Sequence, residues 1–311
     1  MKISVWCVGR LSPPKVAGVG RVACGVIFAA IQCRFDWLAW GLILLDVRLC
    51  CLAVLLVAVP VSGTARACDG LGEGPSGVVS KVFDGNTMEL DSGIVVRLSG
   101  AEAPHPAGAR AGSVAEPLAD AARAALAKLV LNQSVRLGLD TEETDRYGHV
   151  EAQVFIDAPG GAWIEQAMIA AGMARAVVPV RNHACIGELI AAELAARANG
   201  LGIWADPYYS VRDAADPAAL AGRTGHYELI EGEVVGTGEA RNRLYLDFGR
   251  VWKDDVTATI DQKARGLFTA AGIDPLSLKG SRVRIRGWVE SRQGPLIELD
   301  SPEQIEVLSS K

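Results

Sequence analysis

The sequence predicts an α+β fold that is mainly β: two small sheet units, the first accompanied by three helices. Three observations carry this. Between residues 77 and 98, short alternating apolar stretches are separated by Asp-Gly and Ser-Gly turn signals, the pattern of a three-strand meander. Between residues 113 and 200, three stretches hold a helical period and two hold a strand alternation. After residue 226 a second set of short strands follows, interrupted by one helical turn, which suggests a small closed or partly open barrel.

Residues 1–67 stand apart by composition. They hold seven of the 31 Lys and Arg, two of the 36 Asp and Glu, and five of the seven cysteines. Leu49–Val61 is an apolar stretch of signal-peptide length preceded by Arg48, and Ser62–Ala67 supplies small residues ending Ala-Arg-Ala. Cleavage after Ala67 is expected, with export to the periplasm or the medium and Cys68 as the mature N-terminus. Arg66 argues against a lipobox and hence against a membrane lipoprotein. Residues 1–46 carry no turn or helix logic, and translation is expected to start near Val47. Two cysteines remain in the body, Cys68 and Cys185. In an exported chain they are expected to pair, the alternative being two buried thiols.

The body beyond residue 67 keeps 24 basic and 34 acidic groups, a net charge of −10. That excludes a free-standing, purely electrostatic nucleic-acid binder. With 50% apolar and 22% charged residues the chain is globular rather than disordered. No uninterrupted apolar run reaches about 18 residues, so no polytopic membrane protein is expected. A monomer is expected.

The elements follow in order. Val78–Phe83 and Thr87–Leu90 flank the Asp84-Gly85-Asn86 turn, and Ile94–Leu98 follows Asp91-Ser92-Gly93. Ser113 to Glu116 reads as a capping box, with Pro117 in the first turn of a helix whose apolar face is Leu118, Ala122, Leu126, Leu129 and Val130. Ser134–Leu139 and Val150–Ile156 alternate as strands. Trp163–Ala171 is a short helix stopped by Gly172. Asn182 caps a third helix, with Ile186, Leu189, Ile190 and Leu194 on one face and Asn199-Gly200 at its end. Residues 207–225 are Pro-, Asp- and Ala-rich and read as a linker. Strands are then expected over Tyr227–Val235, Arg243–Phe248, Val256–Ile260, Arg282–Val289 and Leu296–Leu299, with a helical turn over Leu267–Ala271. Arg282, Arg284 and Arg286 share one strand face. They read either as a nucleic-acid-binding stripe, helped by Tyr245, Phe248, Trp252 and Trp288, or as a solvated face paired to Glu231, Glu233 and Glu298; the abundance of acids favours the second. Trp163 and Trp204 read as packing residues, Gly85 and Gly100 as turn glycines, Arg241 to Arg243 as a hairpin tip, and His183 as a surface residue.

Four motifs occur in order: Val82-Phe83-Asp84-Gly85-Asn86-Thr87, then Arg97-Leu98-Ser99-Gly100-Ala101-Glu102-Ala103-Pro104-His105, then Thr144-Asp145-Arg146-Tyr147-Gly148-His149, then Gly200-Leu201-Gly202-Ile203-Trp204. Residues 77–206 thereby resemble the staphylococcal nuclease (thermonuclease) family, whose motifs are V-x-D-G-D-T, R-L-x-G-I-D-A-P-E, T-D-R-Y-G-R and G-L-G-I-W. The resemblance implies a five-strand OB-type barrel with three helices over residues 68–206, a linker over 207–225 and a β extension over 226–311. It also implies Ca2+-dependent hydrolysis of DNA and RNA, with carboxylates holding the cation, two Arg on the phosphate and a Glu as base.

Carried over by position, the family's chemistry is altered. Arg97 keeps the first phosphate clamp. Glu102 replaces one metal Asp and Asn86 the other. His105 replaces the Glu base and His149 the second Arg, while Asp145 and Tyr147 remain. The resemblance therefore implies catalytic positions at Arg97, Glu102, His105 and His149, metal positions at Asn86 and Glu102, and substrate contacts at Arg97, Tyr147 and His149. A Ca2+ site with one carboxylate binds weakly, and loss of one transition-state donor costs ~10²–10³ in rate. The expectation is a weakened or altered nuclease acting on DNA or RNA. The alternatives are an imidazole mechanism with no metal, a Zn2+ or Mn2+ site, or a non-catalytic binding or scaffold protein of the cell envelope.

Overall fold

The computed structural model describes residues 68–310 apart from 69, 110–112, 145–147, 180–182, 184 and 252–253. The expected signal segment, Asp145, Tyr147, the Asn182 cap and Trp252 lie outside the described residues.

The meander forms as its turn residues require. β1 (Gly72–Val82) reverses through Asp84 to Asn86 into β2 (Thr87–Leu90), and Asp91 to Gly93 reverses the chain again into β3 (Val95–Leu98). Val82 opposes Met88 and Thr87 opposes Arg97. Strand alternation puts Val79, Met88, Leu90, Val96 and Leu98 in the core. β4 (Ala101–Glu102), α1 (Ala119–Val130), β5 (Ser134–Thr144) and β6 (Val150–Ile156) follow. β6 runs parallel to β3 and antiparallel to β5, and β5 returns to β1, closing a five-strand barrel ordered β1-β2-β3-β6-β5. α1 covers it with Ala122, Leu126 and Val130. α2 (Ile164–Ala170) adds Ile164, Met168 and Ile169. β7 (Arg175–Ala176) then pairs with β4, and α3 (Ile186–Ala198) completes the unit. Each fully buried Leu, Ile or Met in this core contributes about 1.5–3 kcal/mol. Cys68 and Cys185 form a disulfide across 117 residues, with Cα atoms 4.8 Å apart. A closed loop of that length stabilises by roughly 3–5 kcal/mol in the chain-entropy picture.

Two helix expectations change. α1 begins at Ala119, capped by Leu118 at φ 65° with no side-chain bond. The Ser113–Glu116 pattern is not its cap, because the Glu116 carboxylate accepts the N–H of His105 instead. On α3 the buried stripe is Ile186, Leu189, Glu193 and Ala196, while Leu194 is 40% exposed. Glu193 tolerates burial because it accepts the Ala176 N–H at 2.8 Å and pairs with Arg286 at 3.0 Å.

The stretch expected as a linker is structured. It holds a 3-10 turn at Pro207–Tyr209, β8 (Arg212–Asp213) and α4 (Pro217–Ala221), and buries Tyr209 and Leu220. β9 (Tyr227–Glu233), β10 (Gly236–Ala240), β11 (Arg243–Asp247), β12 (Thr257–Asp261), α5 (Arg265–Ala270), β13 (Arg282–Ser291), β14 (Pro295–Glu298) and β15 (Ile305–Ser309) complete the chain. Their sheet is ordered β10-β11-β12-β14-β13-β9-β8, with β15 on β13. β10 and β15 were not legible as strands: the first is Gly-Thr-Gly, the second short and half exposed. A second core of Leu244, Leu246, Ile260, Phe268, Ile285 and Ile297 lies within.

The Arg stripe of β13 is engaged by acids. Arg284 bonds Glu231 at 2.7 Å and Glu306 at 2.6 Å, Arg282 lies 3.5 Å from Glu231, and Arg286 is buried against Glu193. Glu298 pairs with Arg243 instead. His183 bonds Ser301 at 2.9 Å.

Ala65–Lys311 clusters as one compact unit. Its two sheets meet through charge. Arg175, 4% exposed, donates to Glu228 at 2.9 Å and to the Tyr209 carbonyl at 2.8 Å. Glu228, fully buried, also receives Arg223 at 2.5 Å and has Arg212 at 3.6 Å. A buried carboxylate survives only with such partners. Among the described residues no helix is long and apolar enough to cross a membrane.

Candidate active site

The site forms where β2, β3 and β4 converge. Asn86 ends the first turn, Arg97 points from β3, and Glu102 ends β4. Gly100, at φ +79°, reverses the chain between them, and a Cβ there would meet the Leu189 side chain at 2.8 Å. Gly85 lets α1 approach the turn: a Cβ on it would strike the Ala103 methyl at 2.5 Å and the Ala122 methyl at 2.8 Å.

Glu102 is the hub. Its Oε2 accepts Arg97 Nη2 at 3.0 Å, and its Oε1 lies 2.6 Å from His105 Nε2. Asn86, 1% exposed, turns its Nδ2 toward Glu102 Oε2 and the Ala101 carbonyl, each at 3.4 Å, while its Oδ1 accepts the Thr87 hydroxyl at 3.3 Å. Asp84 is occupied locally, accepting the Asn86 N–H at 2.9 Å. Burial works against the Arg97 charge, but the Glu102 carboxylate beside it outweighs this and raises the guanidinium above its ordinary value.

A second carboxylate holds the backbone of His105. Glu116 Oε2 accepts the His105 backbone N–H at 3.0 Å, and its Oε1 lies 3.3 Å from His226 Nε2, a residue of the second sheet unit. Burial pushes Glu116 up, but the bonds from His226 and from the His105 N–H, with the charges of both imidazoles, hold it down at about 2. A cleft of about 370 Å³ opens here, lined in part by His105, Glu116, Tyr208, Arg223 and His226.

The structure thus brings together Asn86, Arg97, Glu102 and His105. His149 stands at the entry to β6, next to Val150, which opposes Val96, and none of the bonds just described reaches it. Among the described residues no group of three His, Cys, Asp or Glu is placed to hold a metal. Sequence reasoning missed Glu116 and His226. In the sequence Glu116 has the local form of a helix start, and His226 carries no local signal.

Residues 95–206 match the sequence model of the family described as staphylococcal nuclease homologue. Over 166 residues the chain is 30% identical to Protein ParB of Escherichia coli, an alignment covering 82% of that protein and 50% of this chain. The chain belongs to the staphylococcal nuclease homologue family. Within this nuclease homologue the matched segment runs from β3 to the Gly202–Ala205 turn. It includes Arg97, Glu102, His105 and His149. Asn86 and the second sheet lie outside it.

Proposed function

We propose that this nuclease homologue is directed at nucleic-acid phosphodiesters through a site altered from the family's calcium centre. The observation that carries the reading is the Glu102 carboxylate bridging Arg97 and His105.

The donor set does not suit Ca2+, a hard cation that takes six to eight oxygens. Glu102 spends one oxygen on a guanidinium and the other on an imidazole. Asn86 presents its NH2 to that carboxylate, not its carbonyl oxygen. Ca2+ therefore has no part in the proposed reaction. Zn2+ or Mn2+ would have His105 and Glu102 as ligands, with no third His, Cys, Asp or Glu grouped with them among the described residues.

What remains is an imidazole–carboxylate dyad beside a phosphate-binding Arg. With the Nε2 proton directed at Glu102, Nδ1 of His105 is the basic nitrogen, and Glu102 stabilises the imidazolium that forms. Water would lose its proton to His105 as its oxygen bonds to phosphorus. The ester P–O bond then breaks, and the leaving oxygen takes a proton from water or from a protonated His149, which stands at the entry to β6 outside the Asn86–Arg97–Glu102–His105 cluster. Arg97, kept charged by Glu102, would hold the non-bridging oxygens, its field partly offset by that carboxylate. Each missing transition-state donor lowers the rate by ~10²–10³, so the activity is weak.

The test is cleavage of single-stranded DNA and RNA in EDTA, Ca2+, Mn2+ and Zn2+, by the native protein and by a triple variant with Asn86→Asp, His105→Glu and His149→Arg. Slow cleavage in EDTA, abolished by Arg97→Ala, supports the dyad. Silence of the native protein with Ca2+-dependent cleavage by the triple variant replaces it with a non-catalytic binding or scaffold role for the same barrel.

We also propose export through the Leu49–Ala67 signal. The Cys68–Cys185 disulfide supports an oxidising destination. N-terminal sequencing of the native protein tests this: a start at Cys68 agrees, and a mature chain that retains residues 49–67 contradicts it.

A further inference from the structure

The second sheet repeats the strand order of the first barrel. In the first, β1 is bent by a register shift: Gly72–Val78 pair with β5 and Val79–Val82 with β2. β3 and β6 are parallel, and α1 lies between the third and fourth strands. In the second, β9 pairs with β13 and, after Val234-Val235, β10 pairs with β11. β12 and β14 are parallel, and α5 lies between β12 and β13. Taking β9 and β10 as one bent strand, both units run first-second-third-fifth-fourth. OB-type barrels bind their ligands on the face of strands two and three, between the loop joining strands one and two and the loop joining four and five.

A groove lies at that place in the second unit. It occupies about 750 Å³, within the range of ligand sites, and is lined by Arg241 at the β10–β11 turn, Gln293 at the β13–β14 turn, and Arg243, Tyr245, Asp247 and Thr259 on the strands between. β11 alternates so that Leu244 and Leu246 enter the core while Arg243, Tyr245 and Asp247 face the groove. Both turn tips are held in left-handed backbone, with φ of 51° and 62° at Arg241 and Asn242 and 56° at Gln293.

The charge of this groove selects the ligand class. Two of the three guanidinium groups that line it are matched, Arg243 with Glu298 at 2.8 Å and Arg292 with Glu290 at 2.8 Å, and the third, Arg241, is offset in number by Glu239 and Asp247 of the same lining. A polyphosphate strand needs surplus cations, and there is no such surplus here. What the groove offers is one half-buried aromatic ring and a row of hydroxyl, amide, carboxylate and guanidinium groups. Arg243 reaches Thr259 at 3.3 Å, and Thr257 reaches Asp247 at 3.4 Å. Gly238 on β10 adds no side chain to the wall. We propose that this face binds a neutral oligosaccharide, its hydroxyls on Arg243, Asp247, Thr259 and Gln293 and one sugar ring against Tyr245. The proposal is independent of whether the first barrel cleaves phosphodiesters.

The test is calorimetric titration of the whole protein with cellohexaose, maltohexaose and N-acetylchitohexaose, and with a thymidylate oligomer. Binding of at least one sugar, insensitive to ionic strength, is expected. Tyr245→Ala and the loop-tip change Gln293→Ala each weaken it at least about tenfold, while Arg97→Ala and Arg282→Gln leave it unchanged. Equal unfolding midpoints for the variants separate lost binding from lost fold. Failure of all three sugars overturns the proposal. So does binding of the thymidylate oligomer in their place, lost on Tyr245→Ala and weakened by salt.

Discussion

His105 Nε2 lies 2.6 Å from Oε1 of Glu102, the carboxylate whose other oxygen takes Arg97. One anion thus serves two cationic or potentially cationic partners. Removing the imidazole leaves Arg97 paired to Glu102 and, under the proposed mechanism, removes the base. His105→Ala is expected to lower metal-free cleavage of an activated phosphodiester by about 10²-fold or more. His183→Ala, at the remote Ser301 pair, is expected to leave the rate unchanged. An equal loss in both variants would contradict a role for the dyad.

Glu116 links pH to stability. Its carboxyl is held at about 2 against an ordinary 4.5. A depressed folded-state value means that its contribution is fully present above about 4.5 and is lost as pH falls toward 2. The slope of unfolding free energy against pH across that window is expected to flatten in Glu116→Gln. Urea unfolding at a series of pH values measures it, and an unchanged slope would contradict the assignment.

The same carboxylate ties the second sheet unit to the site through His226, 3.3 Å away. His226→Ala is expected to release Glu116 toward its ordinary value and to shift the His105 ring resonances in the proton NMR spectrum. His183→Ala provides the control, because its ring faces Ser301 and Glu303. His105 resonances that ignore His226→Ala would contradict the link.

Glu228 anchors the two units to each other. Its loss leaves Arg175 buried without its carboxylate. Glu228→Leu is expected to destabilise by about 3–5 kcal/mol, the usual outcome when one partner of a buried pair is removed. Glu306→Gln, at a pair with a half-exposed carboxylate, should cost no more than about 1 kcal/mol. Denaturant unfolding of the two variants decides between a buried anchor and an incidental contact.

The parts of the fold governed by neighbours in sequence were legible. Asp84-Gly85 and Asp91–Gly93 dictate the meander, which sets the Asn86 turn beside Arg97 on β3, and the Gly100 reversal brings Glu102 of β4 back to both, so motif spacing alone brought them together. What depended on distant partners was not legible. Ser113 to Glu116 has the local form of a helix cap, but Glu116 is claimed by His105 and His226, and α1 starts later at Ala119. Leu194 fits the apolar face of α3 by hydropathy, yet Arg286 and the Ala176 N–H draw Glu193 inward and rotate Leu194 out. The 207–225 stretch has a linker's composition, and only its contacts show Leu220 and Tyr209 to be buried.

We propose that Glu102, held by Arg97 and His105 with the Asn86 amide turned toward it, is not a calcium centre. The most direct measurement is calorimetric titration of Ca2+ into the native protein and into a variant with Asn86→Asp and His105→Glu, which returns two carboxylates to the turn. No saturable binding to the native protein at millimolar Ca2+ and measurable binding to the variant are expected. Stoichiometric Ca2+ binding by the native protein, abolished by Glu102→Gln, would contradict it.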